Sequence, residues 1–468
     1  MSLDGQSILD EYKSLVRKRA VAWDAYIRYN VVTDADVKAI KAADKVSAAR
    51  RTQILQEEPE TYAQLILGDT GVVRKSANVD RIDLVQWMLM WTGDLLEDVP
   101  SFAQSLLALK NPFELLLSLL EGSTDPVIPV LSAAILTPLL SLSLASNKKL
   151  SPAVLDAVPK FYRYLSTVSK AQERDQQDLA IQAYVVLLRT PYAREAFWDM
   201  KEEIMPPLVG LLQETAGGTA SDRSDASSTG ASVGIVQGGV PLQLVYHVLL
   251  VVWQLTFDET VAEEINDKYD IIPPITTILR SPIKEKITRV TLAILTNLVL
   301  KSSSTNLPTL LVTNILPYLQ TLSTRFNSDS DPDLTSDLNT VTSSLENFQN
   351  SQTTLSSYRI EVMSTHLRWS PPHRNEGFWK RHAREIVEDS ELVKQLAKVL
   401  AQSTDKTVLA VACNDVGVLV REVPMVRKKW VELGVKARVM TLMGDGDAEV
   451  RYEALKAVQG FLQTAFSG

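Results

Sequence analysis

The sequence predicts an all-α solenoid, a chain of stacked helical repeats, and three observations lead there. Apolar residues recur at helical spacing along most of the chain. Runs that alternate apolar and polar residues, the mark of half-buried strands, are scarce. Prolines suited to the first turn of a helix return at a near-constant interval, as in a repeat array.

The helical signal begins at Ile8, Leu9, Tyr12, Leu15 and Val16, which share one helical face. Thr33 and Asp36 have the spacing of a capping box ahead of Val37 and Ile40. The repeat signal lies in Pro112, Pro159, Pro206-Pro207, Pro273-Pro274 and Pro317, each read as opening a short helix. Proline is tolerated there because the N–H it lacks is unpaired in the first turn anyway. Taking the last proline of each, the spacings are 47, 48, 67 and 43 residues. The outlier holds residues 214–240, in which six glycines stand among Ser, Ala, Thr and Asp, a composition that reads as a flexible loop. Removing about 23 residues of it restores a period near 44. Armadillo and HEAT repeats have periods of about 40–47.

The expected architecture is therefore an armadillo/HEAT-like α-solenoid in two parts. The large N-terminal superhelix spans 1–350 and a smaller C-terminal helical domain spans 358–468. Leu334, Leu338, Val341, Leu345 and Phe348 make an amphipathic helix inside a Ser/Thr-rich stretch, so the break is placed after it. Residues 349–357 become the linker, with Ser351, Gln352 and Ser356 as hinge. Further on, Val450, Ala454 and Val458, behind a Gly444–Gly446 turn, read as an inner helix whose small residues permit close packing.

The 468 residues suffice for two or three core-bearing units. Hydrophobic residues at 45% and charged ones at 22% describe a folded chain rather than a disordered one. A net charge of −8 disfavours nucleic acid and anionic lipid as partners, since both require a basic surface. The single cysteine, Cys413, fits a reducing compartment, and Asp4, Asp10 and Glu11 stand where a signal peptide would need an apolar run. The uncharged runs Pro126–Asn147 and Pro241–Phe257 are read as buried solenoid helices, without insertion into a membrane. Pro129 and Pro138 interrupt the first and Gln243, His247 and Gln254 the second.

No constellation for catalysis emerges. His366, His373 and His382 are spaced by seven and nine, off any common helical face, so a zinc site is disfavoured and structural or surface roles are expected. His247 reads as a hydrogen-bonded core residue, and Cys413, mid-helix, as an inert apolar group. Adjacent carboxylates such as Glu202-Glu203 point about 100° apart on a helix and read as solvated faces. No Gly-x-Ser-x-Gly, His-Glu-x-x-His or phosphate-binding glycine pattern is present, and no cofactor is expected. The basic runs Arg17-Lys18-Arg19 and Arg427-Lys428-Lys429 are solvated faces or patches that steer an acidic partner. No tryptophan is followed four residues later by asparagine, which disfavours a nuclear import receptor.

One block carries a specific resemblance. Leu367-Arg368-Trp369-Ser370-Pro371-Pro372-His373, followed by Phe378-Trp379, resembles the Leu-x-Trp-Ser-Pro-x-His…Phe-Trp signature of the H-subunit family of vacuolar-type proton-pumping ATPases (V-ATPases). Val408–Ala412, Asp415-Val416-Gly417 with Val420-Arg421, and Val450-Arg451-Tyr452 through Gln459 follow in matching order. Near the start, Arg19, Val21, Trp23 and Tyr26 resemble the family's N-terminal segment. The likeness is dense over 355–465 and sparse but collinear before. His382 departs from the family's asparagine, and Val435 from the second glycine of a Gly-Gly turn.

The resemblance implies a non-catalytic regulatory component, required for coupled proton pumping and inhibiting ATP hydrolysis once the soluble sector leaves the membrane sector. Its implied partners are the E and G subunits of the peripheral stalk, the cytosolic domain of the a subunit and, in the inhibited state, the catalytic head and central rotor. The implied location is cytoplasmic, peripheral on the cytosolic face of vacuolar and endosomal membranes. Within that frame the polar loop Gln402, Ser403, Thr404, Asp405, Lys406 and Thr407 is the expected inhibitory wedge. The groove of the N-terminal repeats together with the first helix is the expected stalk contact, and Trp23 and Tyr26 are candidate partner-binding residues; Trp369, Phe378 and Trp379 are expected to be structural. A generic solenoid adaptor would share the repeats but lack the Trp369–Trp379 block, and an enzyme would need a constellation the sequence does not offer.

Overall fold

A computed structural model describes residues 8–146, 150–217, 236–237, 239–281, 284–326, 331–352 and 355–463. The described residues are overwhelmingly helical, and the chain divides between Val341 and Thr342 into two compact units.

In the N-terminal unit two rows of helices stack along the repeat. One row consists of Ile82–Asp98, Val127–Ala145, Arg174–Leu187, Leu242–Leu255 and Glu285–Lys301, each packed on the next. The other is Glu114–Glu121, Pro152–Ser169, Lys201–Gly217 and Ile272–Arg280. The core lies between the rows, where Leu139, Phe161, Tyr184, Ile204, Leu249 and Leu295 are fully buried. Sandwiched helices read apolar almost all round. Val127–Ala145 is long and apolar enough to cross a membrane by length and composition, yet it is packed by helices on several sides, with Ile135, Leu136, Leu139 and Leu140 wholly covered. The capping box forms: Thr33 accepts from the Asp36 N–H and Asp36 from the Thr33 N–H.

The proline reading needs correction. Pro273-Pro274 and Pro317 do stand in the first turn of Ile272–Arg280 and Leu316–Ser323. Pro112 lies two residues before its helix, whereas Pro159 and Pro206-Pro207 sit inside Pro152–Ser169 and Lys201–Gly217. An interior proline leaves the carbonyl four residues earlier without a donor. At Pro207 that carbonyl belongs to Glu203, and the Ser166 hydroxyl of the neighbouring helix donates to it at 2.9 Å. The prolines thus recur at the repeat period in the second-row helices without holding one fixed place in them.

Two boundaries also differ. Residues 349–352 continue the helix Pro332–Gln352, and Leu355–Ser364 follows, so Ser351 and Gln352 end one helix and Ser356 lies in the first turn of another. The apolar stripe through Leu334, Leu338, Val341 and Leu345 is buried, and no Gly or Pro stands between 349 and 357 to stop the helix. Of the 214–240 insert, 214–217 finish a helix, and Val236-Gln237 pair antiparallel with Val240-Pro241 around Gly239 at φ +78°. Residues 218–235 lie outside the described residues.

The C-terminal unit holds Leu355–Ser364, Pro371–Arg374, Glu376–Glu388, Ser390–Gln402, Lys406–Glu422, Val426–Glu432, Val435–Leu442 and Ala448–Gln463. Its core gathers Tyr358, Phe378, Trp379, Val411, Cys413 and Trp430. Helices 406–422 and 448–463 cross closely at small residues: a Cβ on Gly417 would stand 2.9 Å from Ala457 Cα, and one on Gly460 3.3 Å from the Gly417 carbonyl oxygen.

Candidate partner-binding sites

The first helix, Ile8–Arg17, lies across three helices of the first row, 82–98, 127–145 and 174–187. The expected apolar face is only partly the one that packs: Val16 is buried and Ile8, Leu9 and Tyr12 are half-buried. Leu15 is exposed, while Lys13 is buried and, with Arg17, pairs with Asp94 and Glu97. Below it, Trp23 meets Trp87 edge-on at 5.2 Å and Trp87 stacks on Trp91 at 5.7 Å. These rings line a cleft of about 800 Å³ rimmed by Arg19, Lys41 and Asp98. Tyr26 is buried and donates to Asp83; burial and that carboxylate push its hydroxyl up to about 12. Trp23 is half-buried at the cleft, whereas Tyr26 is an internal tie.

Along the first row, the N-terminal ends of the helices carry a charged ladder. Arg19 donates to Gln86 and Gln86 to Asp125 at 2.6 and 2.8 Å, and His247 is held between Asp178 and Gln243 at 2.5 and 2.8 Å. His247 is thus the hydrogen-bonded core residue expected. Nearer the C-terminal ends, Gln254 donates to the Val185 carbonyl and Asn297 to the Thr256 hydroxyl, both at 3.0 Å. These amides join neighbouring repeats.

At the heart of the C-terminal unit the signature block forms a charged knot. Helix 371–374 starts at Ser370-Pro371-Pro372 and sets His373, whose side chain is fully enclosed, between two carboxylates. Nδ1 lies 2.8 Å from Asp415 Oδ2, and Nε2 is 3.3 Å from Glu361 Oε1. Burial opposes a charged ring here, but the attraction of Asp415 and Glu361 outweighs it and lifts His373 to about 9. The remaining acceptors are filled. Tyr358 donates to Asp415 at 3.3 Å, Ser370 to Glu361 at 2.6 Å, and Asn414 to the His373 carbonyl at 3.0 Å. Phe378 and Trp379 are buried around the knot, and Trp379 Nε1 donates to the same carbonyl at 3.4 Å. Arg374 lies over the Trp369 ring at 4.6 Å. His366 is exposed; His382 sits 5.2 Å from the Phe378 ring. Cys413 is buried, and burial raises its thiol to about 12, as an inert apolar group requires. The second basic run is divided, with Trp430 in the core, Arg427 half-buried and Lys428 in solvent. Among the described residues no cluster of His, Cys, Asp or Glu is arranged to hold a metal.

The Gln402–Thr407 segment is shorter as a loop than its polarity suggested. Gln402 ends one helix and Lys406 begins the next, leaving Ser403, Thr404 and Asp405 between. Asp405 caps the following helix, accepting from the N–H groups of Thr407 and Val408 at 2.8 and 3.2 Å. Lys406 Nζ reaches both Asp445 oxygens at 2.9 Å, so this tip is tied to the Gly444–Gly446 turn. Sequence reasoning missed that tie and the His373–Asp415 pair, although each residue was in view; the partners are 39 and 42 residues apart, beyond any local pattern. Val435 also resolves. It opens helix 435–442 with a buried side chain, while Gly434 at φ +72° supplies the left-handed turn alone.

Two sequence models of the V-ATPase H-subunit family match the chain, its N-terminal part over residues 7–345 and its C-terminal part over 351–466. The chain belongs to the V-ATPase H-subunit family. Relatives agree along the length: the V-type proton ATPase H subunit of Drosophila melanogaster is 27% identical over 97% of this chain and 89% of its own. A probable V-type proton ATPase H subunit of Oryza sativa subsp. japonica is 24% identical over 95% of each. A probable H subunit of Caenorhabditis elegans, numbered 2, reaches 32% over 50% of this chain and 51% of its own. Within the block 367–379 of this chain, Leu367, Pro372, His373, Phe378 and Trp379 are buried, and Trp369 packs at the edge of the C-terminal core.

Proposed function

We propose that the chain is the non-catalytic, regulatory H subunit of a V-ATPase, required for coupled proton pumping and braking ATP hydrolysis when the soluble sector is detached. The observation that carries this reading is the match to both H-subunit family models, which together reach from residue 7 to residue 466. Its partners in this proposal are the E and G subunits of the stalk, the cytosolic domain of the a subunit and, in the braked state, the catalytic head and rotor. Its place is the cytosolic face of vacuolar and endosomal membranes.

Braking a rotor needs no chemistry, only a rigid body held between moving and fixed parts. The Ser403–Asp405 tip suits that task, because Asp405 caps one helix and Lys406 ties the tip to Asp445. Ser351, Gln352 and Ser356, at the junction of helices 332–352 and 355–364, are the proposed pivot, and Trp23 with the first-row face the proposed stalk contact. Each partner shifts the orientation only by its differential affinity for the two states. The test is ATP hydrolysis by soluble sectors stripped of this subunit, with and without the purified chain. Inhibition that disappears on replacing Ser403–Asp405 with glycines supports the reading. Full activity in the presence of the intact chain overturns the brake and leaves a solenoid adaptor.

A further inference from the structure

Two helices of the first row, 242–255 and 285–301, each carry a stripe that their neighbours leave only partly covered. On helix 242–255 that stripe is Gln243, Tyr246, Leu250 and Trp253, continued by Phe257 just past its end, at spacings of three and four. On helix 285–301 it is Lys286, Arg289, Ala293, Asn297 and Leu300. Trp253 and Phe257 meet edge-on at 5.0 Å, Phe257 is 43% exposed and Leu300 65%. An aromatic and aliphatic surface of this kind is what an amphipathic helix covers.

The neighbouring part of the same row shows such a helix in place. Helix 8–17 lies chiefly on 82–98, 127–145 and 174–187. Where it lies, Asp94 and Glu97 of the floor face Lys13 and Arg17 of the seated helix. In the open part the charge at the head of the stripe is a cation. Lys286 lies over the Tyr246 ring at 4.3 Å and donates to Gln243 at 3.2 Å, and among the described residues no carboxylate pairs with it. Burial and the nearby Lys284 hold its ammonium below the usual lysine range. A cation desolvated by a neighbour and repelled by another gains from an incoming carboxylate.

We infer that the stripe Tyr246–Leu250–Trp253–Phe257, with Lys286 at its head and Leu300 beside it, docks an acidic amphipathic helix of another protein, continuing the groove that helix 8–17 already fills. The partner's apolar face covers Leu250, Trp253 and Phe257, and a Glu or Asp in its polar face meets Lys286. That the partner belongs to the pump rests on the function proposed above; the surface itself does not.

The test uses the full chain and a fluorescein-labelled stapled helix of Leu, Ala and Glu, with a Lys-for-Glu helix as control, followed by anisotropy. The acidic helix should bind at least about tenfold more tightly than the basic one. Leu250→Ser with Trp253→Ser should weaken it about tenfold with the melting temperature unchanged, and Lys286→Glu should invert the preference. Equal binding of the two helices, or binding indifferent to these substitutions, overturns the inference. So does a chain dimer in sedimentation velocity that the Leu250→Ser/Trp253→Ser pair abolishes while the peptide fails to bind, which would make a second copy the occupant. In parallel, binding to stripped soluble sectors separates the two claims. If the parent chain does not bind them, the pump reading fails and the peptide result stands alone; if parent and variant bind equally, the pump reading stands and this surface is not its contact.

Discussion

The two units place their polar groups in opposite ways. In the N-terminal unit, polar side chains tie neighbouring helices of the row at several separate points: Gln86 to Asp125, His247 to Asp178, Gln254 to Val185, Asn297 to Thr256. In the C-terminal unit they are gathered into one buried knot, with His373 and Asp415 both fully enclosed. A repeat array of nearest-neighbour links loses stability in small, nearly independent steps. A buried ion pair concentrates the risk, because removing one partner strands the other charge in a low-dielectric interior. The first unit should tolerate change anywhere along its length; the second should fail at one place.

That contrast can be broken most decisively at the knot. His373→Ala should cost about 3–5 kcal/mol in urea unfolding, since Asp415 is left buried and uncompensated. The double change His373→Leu with Asp415→Leu should recover a good part of the loss, and failure to recover it would refute the ionic reading. Next is pH. The ring titrates at about 9 when folded, against an ordinary value near 6.5, so its stabilisation is full below the lower value and is lost as pH rises through the upper one. Stability of the C-terminal unit should fall by on the order of 2 kcal/mol between pH 7 and 10, and the double leucine variant should flatten the profile. Gly417→Val should then cost about 1–3 kcal/mol by forcing helices 406–422 and 448–463 apart. By contrast, Asn297→Ala should cost about 1 kcal/mol and leave hydrogen exchange in distant repeats unchanged. Smallest is Lys406→Ala, below about 1 kcal/mol, because the Lys406–Asp445 pair lies at the surface; its measurable effect should be weaker inhibition of stripped sectors.

How much of this could be read from the sequence depends on range. The Thr33–Asp36 box and the buried stripe Leu334–Leu345 follow from spacing within one helix, and the structure returns both. The solenoid class was legible because the repeat period survives even where the proline's local role was misjudged. Pro207 stands mid-helix, and only its neighbour Ser166, 41 residues earlier, makes that tolerable. The helix running on through 349–352 was not legible because these residues are all polar and carry no apolar periodicity, although they hold no Gly or Pro that would end the helix. Of the candidate sites, Phe378 and Trp379 lie buried in the C-terminal core, while the tie between Tyr26 and Asp83 was not legible because the two lie 57 residues apart.

The lodging of helix 8–17 has a consequence for how the chain comes into being. This helix leaves the ribosome before its seat, which is assembled from residues 82 to 187, and its ties to Asp94 and Glu97 close loops of 77 and 84 residues. At synthesis rates of about 5–20 residues per second, it waits on the order of ten to thirty seconds for the last of the three helices it rests on. A segment made early thus waits for helices made later, and its docking closes over repeats that have formed in the meantime.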